Sequence, residues 1–174
     1  MQNKDEAELI AQSLNGDHDA YGALINRYKK AIYYHCFAIV HDEDLAEDIA
    51  QETFISGYYK LKSYKPEYKL STWLFKIATN KALNAQKKGK REIPADVTLF
   101  NTVASDQVGP ATATEYGELH EAVARLEANH RIVISLHYWQ GLSYQEIATV
   151  MSSPIGSVRG WMYRAKETLR KELL

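Results

Sequence analysis

Two clusters of side chains in this 174-residue chain are of the types that hold nucleic acid. In the first, Tyr58, Tyr59, Lys60, Lys62, Tyr64, Lys65, Tyr68, Lys69, Trp73 and Lys76 interleave aromatic rings with cations. Lysines track phosphates and rings stack unpaired bases, each stack contributing roughly 1–3 kcal/mol, so the mixture suits a single strand. A plainer reading makes some of the rings core and the lysines a solvated face; Trp73, in the first turn of a helix, fits either. Tyr64 and Tyr68 flank Pro66 in an expected loop, where burial is harder to arrange. The second cluster lies in GLSYQEIATVMSSPIGSVRGWMYRAK, Gly141 to Lys166. Bond-making chemistry has little support: His120, His130 and His137 are dispersed, and neither a phosphate-binding glycine loop nor a local Ser/His/Asp signature is present. His35, Cys36 and His41 lack paired metal-ligand spacing, so neither metal nor cofactor is expected.

The elements that must position these clusters are helices. Ser143 and Glu146 form a capping box that starts one helix, ending near Met151. Ser152, Ser153 and Pro154 then supply a turn, a second N-cap and a first-turn proline for a helix running toward Lys171. On it Ile155, Val158, Met162, Ala165 and Leu169 share one face, leaving Gly156, Ser157, Gly160, Tyr163 and Arg164 outward. A helix-turn-helix puts such a face into the major groove, although helix pairs of this kind also serve simple packing. Upstream, Asp5 to Leu14, Asp19 to Val40 and Asp42 to Leu61 show helical spacing, and Pro66 breaks the pattern. Ser71 or Thr72 then caps a helix whose buried side is Leu74, Ile77, Ala78, Ala82 and Ala85, with Gly89 expected to end it. Leu119, Val123 and Leu126 fall on a further helix, and Ile132, Val133, Leu136 and Trp139 on the apolar face of the next.

Periodicity vanishes from Glu92 to Tyr116, where Pro94, Gly109 and Pro110 interrupt a polar stretch. So long a structureless segment inside one compact domain is unusual, which favours two domains and a linker. The expected architecture is all-α: two small helical domains, 1–91 and 118–174, joined by a flexible acidic linker over 92–117, the second domain a helix-turn-helix. A net charge of −1 conceals segregation. Residues 1–59 carry four basic and eleven acidic side chains, 60–91 ten and one, 92–124 none and six, and 125–174 seven and four. Binding follows local potential, so two basic zones separated by an acidic one point to nucleic acid where the bulk charge does not. The chain has no run of about 18 apolar residues and no signal-peptide pattern, so a cytoplasmic protein without membrane insertion is expected. The single Cys36, in the apolar run AIYYHCFAIV, reads as a small buried side chain.

Three segments together, DLAEDIAQETF (44–54), SYKPEYKLSTWLFKIATNKALN (63–84) and RLEANHRIVISLHYWQGLSYQEIATVMSSPIGSVRGWMYRAKETL (125–169), resemble in order and spacing the bacterial sigma factors of the extracytoplasmic-function group. That resemblance implies a promoter-recognition subunit that catalyses nothing itself and binds RNA polymerase core. The acidic helix would dock on the clamp coiled coil through Asp44, Glu47, Asp48, Gln51 and Glu52, and the C-terminal domain on the flap. Tyr64, Lys65, Tyr68, Lys69, Ser71, Thr72, Trp73, Lys76, Asn80 and Asn84 match the positions that open and read the minus-10 element as a single strand. Ser157, Arg159, Trp161, Tyr163, Arg164 and Lys166 would read the minus-35 duplex. An anti-sigma protein is implied by family only. The chain departs from the family pattern at Gly160 and Trp161, where a serine and an arginine are usual, and at Glu127, where a proline is usual. Gly160 reads no base, and Trp161 either touches a thymine methyl or sugar or folds onto the core. The linker either threads the polymerase or is a plain tether. A stand-alone helix-turn-helix regulator is the alternative, and it leaves the acidic helix and aromatic loop unexplained.

Overall fold

The computed structural model describes the backbone of residues 2–92 and 113–174 and the side chains of 5–89 and 117–174. Most of the expected acidic linker lies outside the described residues. Eight α-helices and no strand are found among them: α1 (Gln2–Leu14), α2 (His18–Val40), α3 (Glu43–Lys60), α4 (Leu70–Glu92), α5 (Ala113–Arg125), α6 (Ala128–Ile134), α7 (Tyr144–Val150) and α8 (Ile155–Leu173). Short polar side chains set their starts. The Asp17 carboxylate accepts from the Asp19 and Ala20 amides at 3.0 and 3.1 Å, and Asp42 accepts from Leu45 at 2.8 Å. Ser143 and Glu146 satisfy each other's amides at the head of α7, as their spacing predicts. Gly16 (φ 92°) and His41 (φ 55°) turn the chain out of α1 and α2.

Three local expectations are corrected. Gly89 does not stop α4, which continues to Glu92. Its backbone is not left-handed, and an interior glycine costs only about 1 kcal/mol. Ser153 does not cap α8: its hydroxyl donates back to Met151 O at 3.0 Å, while Pro154 occupies the cap position and its carbonyl accepts from Ser157 and Val158. Trp139 is not on the buried face. A π-helical turn over Ser135–Trp139 widens the end of α6 and shifts the register, leaving Trp139 41% exposed and stacked on His120.

Helices α2, α3 and α4 pack on one another around Ile32, Ile39, Ile49, Leu70 and Ala78, with α1 along α2. The C-terminal unit gathers α5, α6 and α7 around α8 through Val133, Leu136, Val150, Val158 and Met162. The helices fall into two domains, as expected, and these also touch: α6 packs on α2, and α7 on α4, so their buried apolar residues form one continuous cluster. Residues 131–136 are all buried, the polar Arg131 and Ser135 among them.

Candidate nucleic-acid interface

The loop before α4 is held by its own aromatic residues. Tyr64 is half-buried, its ring centroid 5.6 Å from that of Trp73 and its hydroxyl donating to the Tyr68 carbonyl at 2.5 Å. That bond closes the loop around Pro66 and turns the Tyr68 ring, 49% exposed, outward. Tyr64 therefore ties the loop, and of the two rings that of Tyr68 is the more exposed. Burial, followed by the nearby Glu6 carboxylate, raises the Tyr64 pKa, so the hydroxyl stays a donor. Along α4 and the loop, Lys65, Asn80 and Asn84 are exposed, and Ser71, Trp73 and Lys76 are half-buried. Lys69 is exposed and paired with Glu146 of α7 at 2.9 Å. Thr72 stands apart: it is 2% exposed and its hydroxyl has no hydrogen-bond partner, so in this arrangement it reaches no ligand.

A buried polar contact also joins α4 to α2 behind this face. His35 of α2, fully buried, lies 2.7 Å from the Thr79 hydroxyl and edge-on to Phe75. Thr79 spends its own proton on the Phe75 carbonyl at 2.7 Å. Its oxygen must then accept, which places the imidazole proton on Nε2 and leaves Nδ1 bare and unpartnered. Burial lowers the His35 pKa from 6.5 to about 3.

On α8 the outer face carries Gly156, Arg159, Tyr163 and Arg164, with Ser157 and Gly160 half-buried beside them. Trp161 and Lys166 lie on opposite flanks of that face. Trp161 is half-buried against the core. Lys166 is exposed and sits 5.7 Å over the Tyr138 ring. A hydrogen bond with the Tyr138 side chain raises its pKa against a small desolvation. A β-carbon added at Gly160 would meet only the Arg164 guanidinium, at 3.9 Å, so no neighbour demands a glycine there.

Asp44, Glu47, Asp48, Gln51 and Glu52 are all exposed on α3, and among the described residues only Glu52 of these has a nearby cation, Lys81 at 3.6 Å. Beside this face stand Tyr59 (79% exposed), one of the rings of the basic aromatic segment, and Ile55 (58% exposed), which no sequence expectation singled out. With Phe54 and Tyr58 they border an apolar cavity of about 490 Å³ that reaches Tyr21 and Ile25 of α2. Gln51, Ile55 and Tyr59 recur every four residues, and that spacing was the signal available. Cys36 is buried, which pushes its thiol up to about 12. No group of His, Cys, Asp and Glu able to hold a metal occurs among the described residues, and no helix there is long and apolar enough to cross a membrane.

Comparison with known proteins matches sigma-70 region 2 to residues 24–92 and sigma-70 region 4 to residues 116–169. The chain is 34% identical to the ECF RNA polymerase sigma factor SigW of Bacillus subtilis, over 94% of each chain. It is 31% identical to the RNA polymerase sigma-H factor of Pseudomonas aeruginosa, over 99% of this chain and 96% of that one. The fold is shared with CnrH, solved with the cytosolic domain of CnrY (TM-score 0.72, 23% identity, 97% of each chain). It is also shared with RpoE of Bartonella quintana, solved with the anti-sigma factor NepR (TM-score 0.75, 23% identity, 88% of this chain and 96% of that one). With a basic aromatic loop and helix in the segment matching region 2 and a helix-turn-helix in the segment matching region 4, the chain belongs to the ECF RNA polymerase sigma factors and acts in promoter-specific transcription initiation.

Proposed function

We propose that this sigma factor divides promoter recognition between its two units, with the α3 carboxylates docking polymerase. The supporting observation is the loop tied by Tyr64, which leaves Tyr68, Lys65, Asn80 and Asn84 exposed along one edge of the N-terminal unit. A ring there stacks a base unpaired from the minus-10 element, the amides pair with base edges, and the lysines add affinity that falls with salt. Ser157, Arg159, Tyr163, Arg164 and Lys166 of α8 enter the minus-35 major groove, with Trp161 at its flank. Asp44, Glu47, Asp48, Gln51 and Glu52 meet a basic surface of the polymerase clamp coiled coil, and Ile55 and Tyr59 add apolar area beside them. The C-terminal unit reaches the flap. An anti-sigma protein is a further partner, as NepR is of RpoE, and the protein works in the cytoplasm.

The test is transcription from genomic DNA by purified bacterial core polymerase with and without the full chain. Discrete new start sites sharing two upstream elements are expected, and a transcript pattern identical to core alone would refute the reading. Tyr68→Ala lowers strand opening, followed by permanganate reactivity, at saturating protein, while Asp48→Lys lowers co-elution with core. Equal loss of both quantities in both variants would show that the two surfaces have no separate roles.

A further inference from the structure

Lys166 of α8 is held from outside its own helix. Its ammonium lies over the ring of Tyr138, 5.7 Å from the centroid. The negative face of such a ring attracts a cation, and at an exposed site the attraction shifts an equilibrium by about two- to fivefold. Hydrogen bonding to Tyr138 is the first cause of the raised Lys166 pKa, and the Tyr144 side chain adds to it. Both tyrosines are braced by His137, whose ring stands edge-on to them with centroids 4.9 Å from Tyr138 and 5.0 Å from Tyr144. The Leu142 carbonyl only accepts, so the His137 proton is on Nδ1, which donates to it at 2.8 Å. The π-helical turn over Ser135–Trp139 is closed by the Gln140 amide donating to the Ser135 carbonyl at 3.2 Å, and it leaves Tyr138 56% exposed. On α8, Arg159, Tyr163 and Lys166 follow at spacings of four and three, so they share one edge of the helix, and all three are exposed. Arg159 and Tyr163 belong to the outer face, and Lys166 lies beyond them on the flank where Tyr138 stands. A side chain on the flank of a groove-reading helix meets the phosphates that wall the groove, and such contacts fix register without reading sequence. The ammonium has three protons, so bonds to two tyrosines leave one for an anion. A free lysine loses much side-chain freedom on making that contact, and a ring that already holds it removes part of the cost.

We propose that Tyr138 is a positioning residue for minus-35 binding: it holds Lys166 against a backbone phosphate at the edge of the major groove, so that this lysine adds affinity and fixes register but reads no base. The proposal deepens the reading of α8 given above and rests on it.

The test uses holoenzyme assembled from the full chain and core polymerase on a promoter duplex found by the transcription experiment, with binding measured in the cold before strand opening. Lys166→Gln should weaken binding about tenfold at roughly 50 mM salt and about threefold at roughly 200 mM, because loss of one phosphate contact makes log affinity against log salt shallower by about 0.9. Its preference among duplexes randomised at the minus-35 element should match that of the wild type. Tyr138→Ala should weaken binding about threefold where Lys166 is present and not at all in the Lys166→Gln background. A folding defect caused by Tyr138→Ala would persist in that background, so the double variant separates positioning from damage. An unchanged salt slope in Lys166→Gln, an altered base preference, or a full threefold further loss in the double variant would each overturn the proposal. If wild-type holoenzyme binds equally well when the minus-35 sequence is scrambled, the DNA reading of α8 itself fails, and the proposal falls with it.

Discussion

Acidification should weaken the packing of α2 on α4 through one side chain, His35. In the folded chain its bare Nδ1 faces no acceptor, so a proton added there would be a charged, unpaired donor in the core. That is why its pKa falls from 6.5 to about 3. The unfolded chain gains a proton below pH 6.5 that the folded chain refuses until about pH 3. The stabilisation is therefore complete above pH 6.5 and is lost as pH falls toward the folded value. Each pH unit in that window removes ~1.36 kcal/mol, so moving from neutrality to about pH 4.5 costs ~2.7 kcal/mol from His35 alone. Carboxylates titrate over part of the same range, and comparison with His35→Gln removes their share. The amide can still donate to Thr79 and does not titrate. Urea unfolding of both proteins at the two pH values should show the wild type losing ~2 to 3 kcal/mol more than the variant. Losses equal to within ~0.5 kcal/mol would refute both the assigned proton position and the role of burial.

Three further outcomes follow from particular contacts. A β-carbon at Gly57 would lie 2.8 Å from the Tyr21 hydroxyl, which donates to the Phe54 carbonyl at 2.6 Å, so Gly57→Ala should destabilise the chain. Urea unfolding should show a loss of about 1–3 kcal/mol, and no loss would mean that Tyr21 moves freely aside. Gly160→Ala meets open space and should stabilise α8 by up to about 1 kcal/mol, read from thermal unfolding; an accompanying fall in duplex affinity would show that DNA backbone approaches Gly160 closely. Trp161→Arg should change minus-35 preference in selections from randomised duplexes, whereas an unchanged preference with a lower melting temperature would assign Trp161 to the core alone.

A net charge of −1 thus conceals faces of opposite sign. Carboxylates are exposed on α3, and lysines cluster along the loop and α4, so each face presents a local potential of one sign.

Helix positions, the capping box and the helix-turn-helix were legible in the chain because they depend on neighbours within about four residues. Asp17, Asp42 and Ser143 cap helices through amides two or three residues away, whatever lies beyond. The exposed carboxylates of α3 could be read for the same reason, since a dense run of charge has no low-cost place inside. Where a signal depended on long-range packing, the sequence was silent or misleading. Trp139 followed the apolar period and ended outside, because a π turn moved the register. Thr72 matched a DNA-reading position and is buried at 2% exposure. Tyr64 and Tyr68 look alike in the chain, and only the bond from one hydroxyl to the other's carbonyl shows that the first ties the loop. Nothing local marks Arg131 for burial, since its partners Ala38 and Ile39 are 93 and 92 residues away. Local composition thus determined the helices and the kind of chemistry they carry. Tertiary packing decided which side chains remain available for it, because burial depends on the whole set of neighbours.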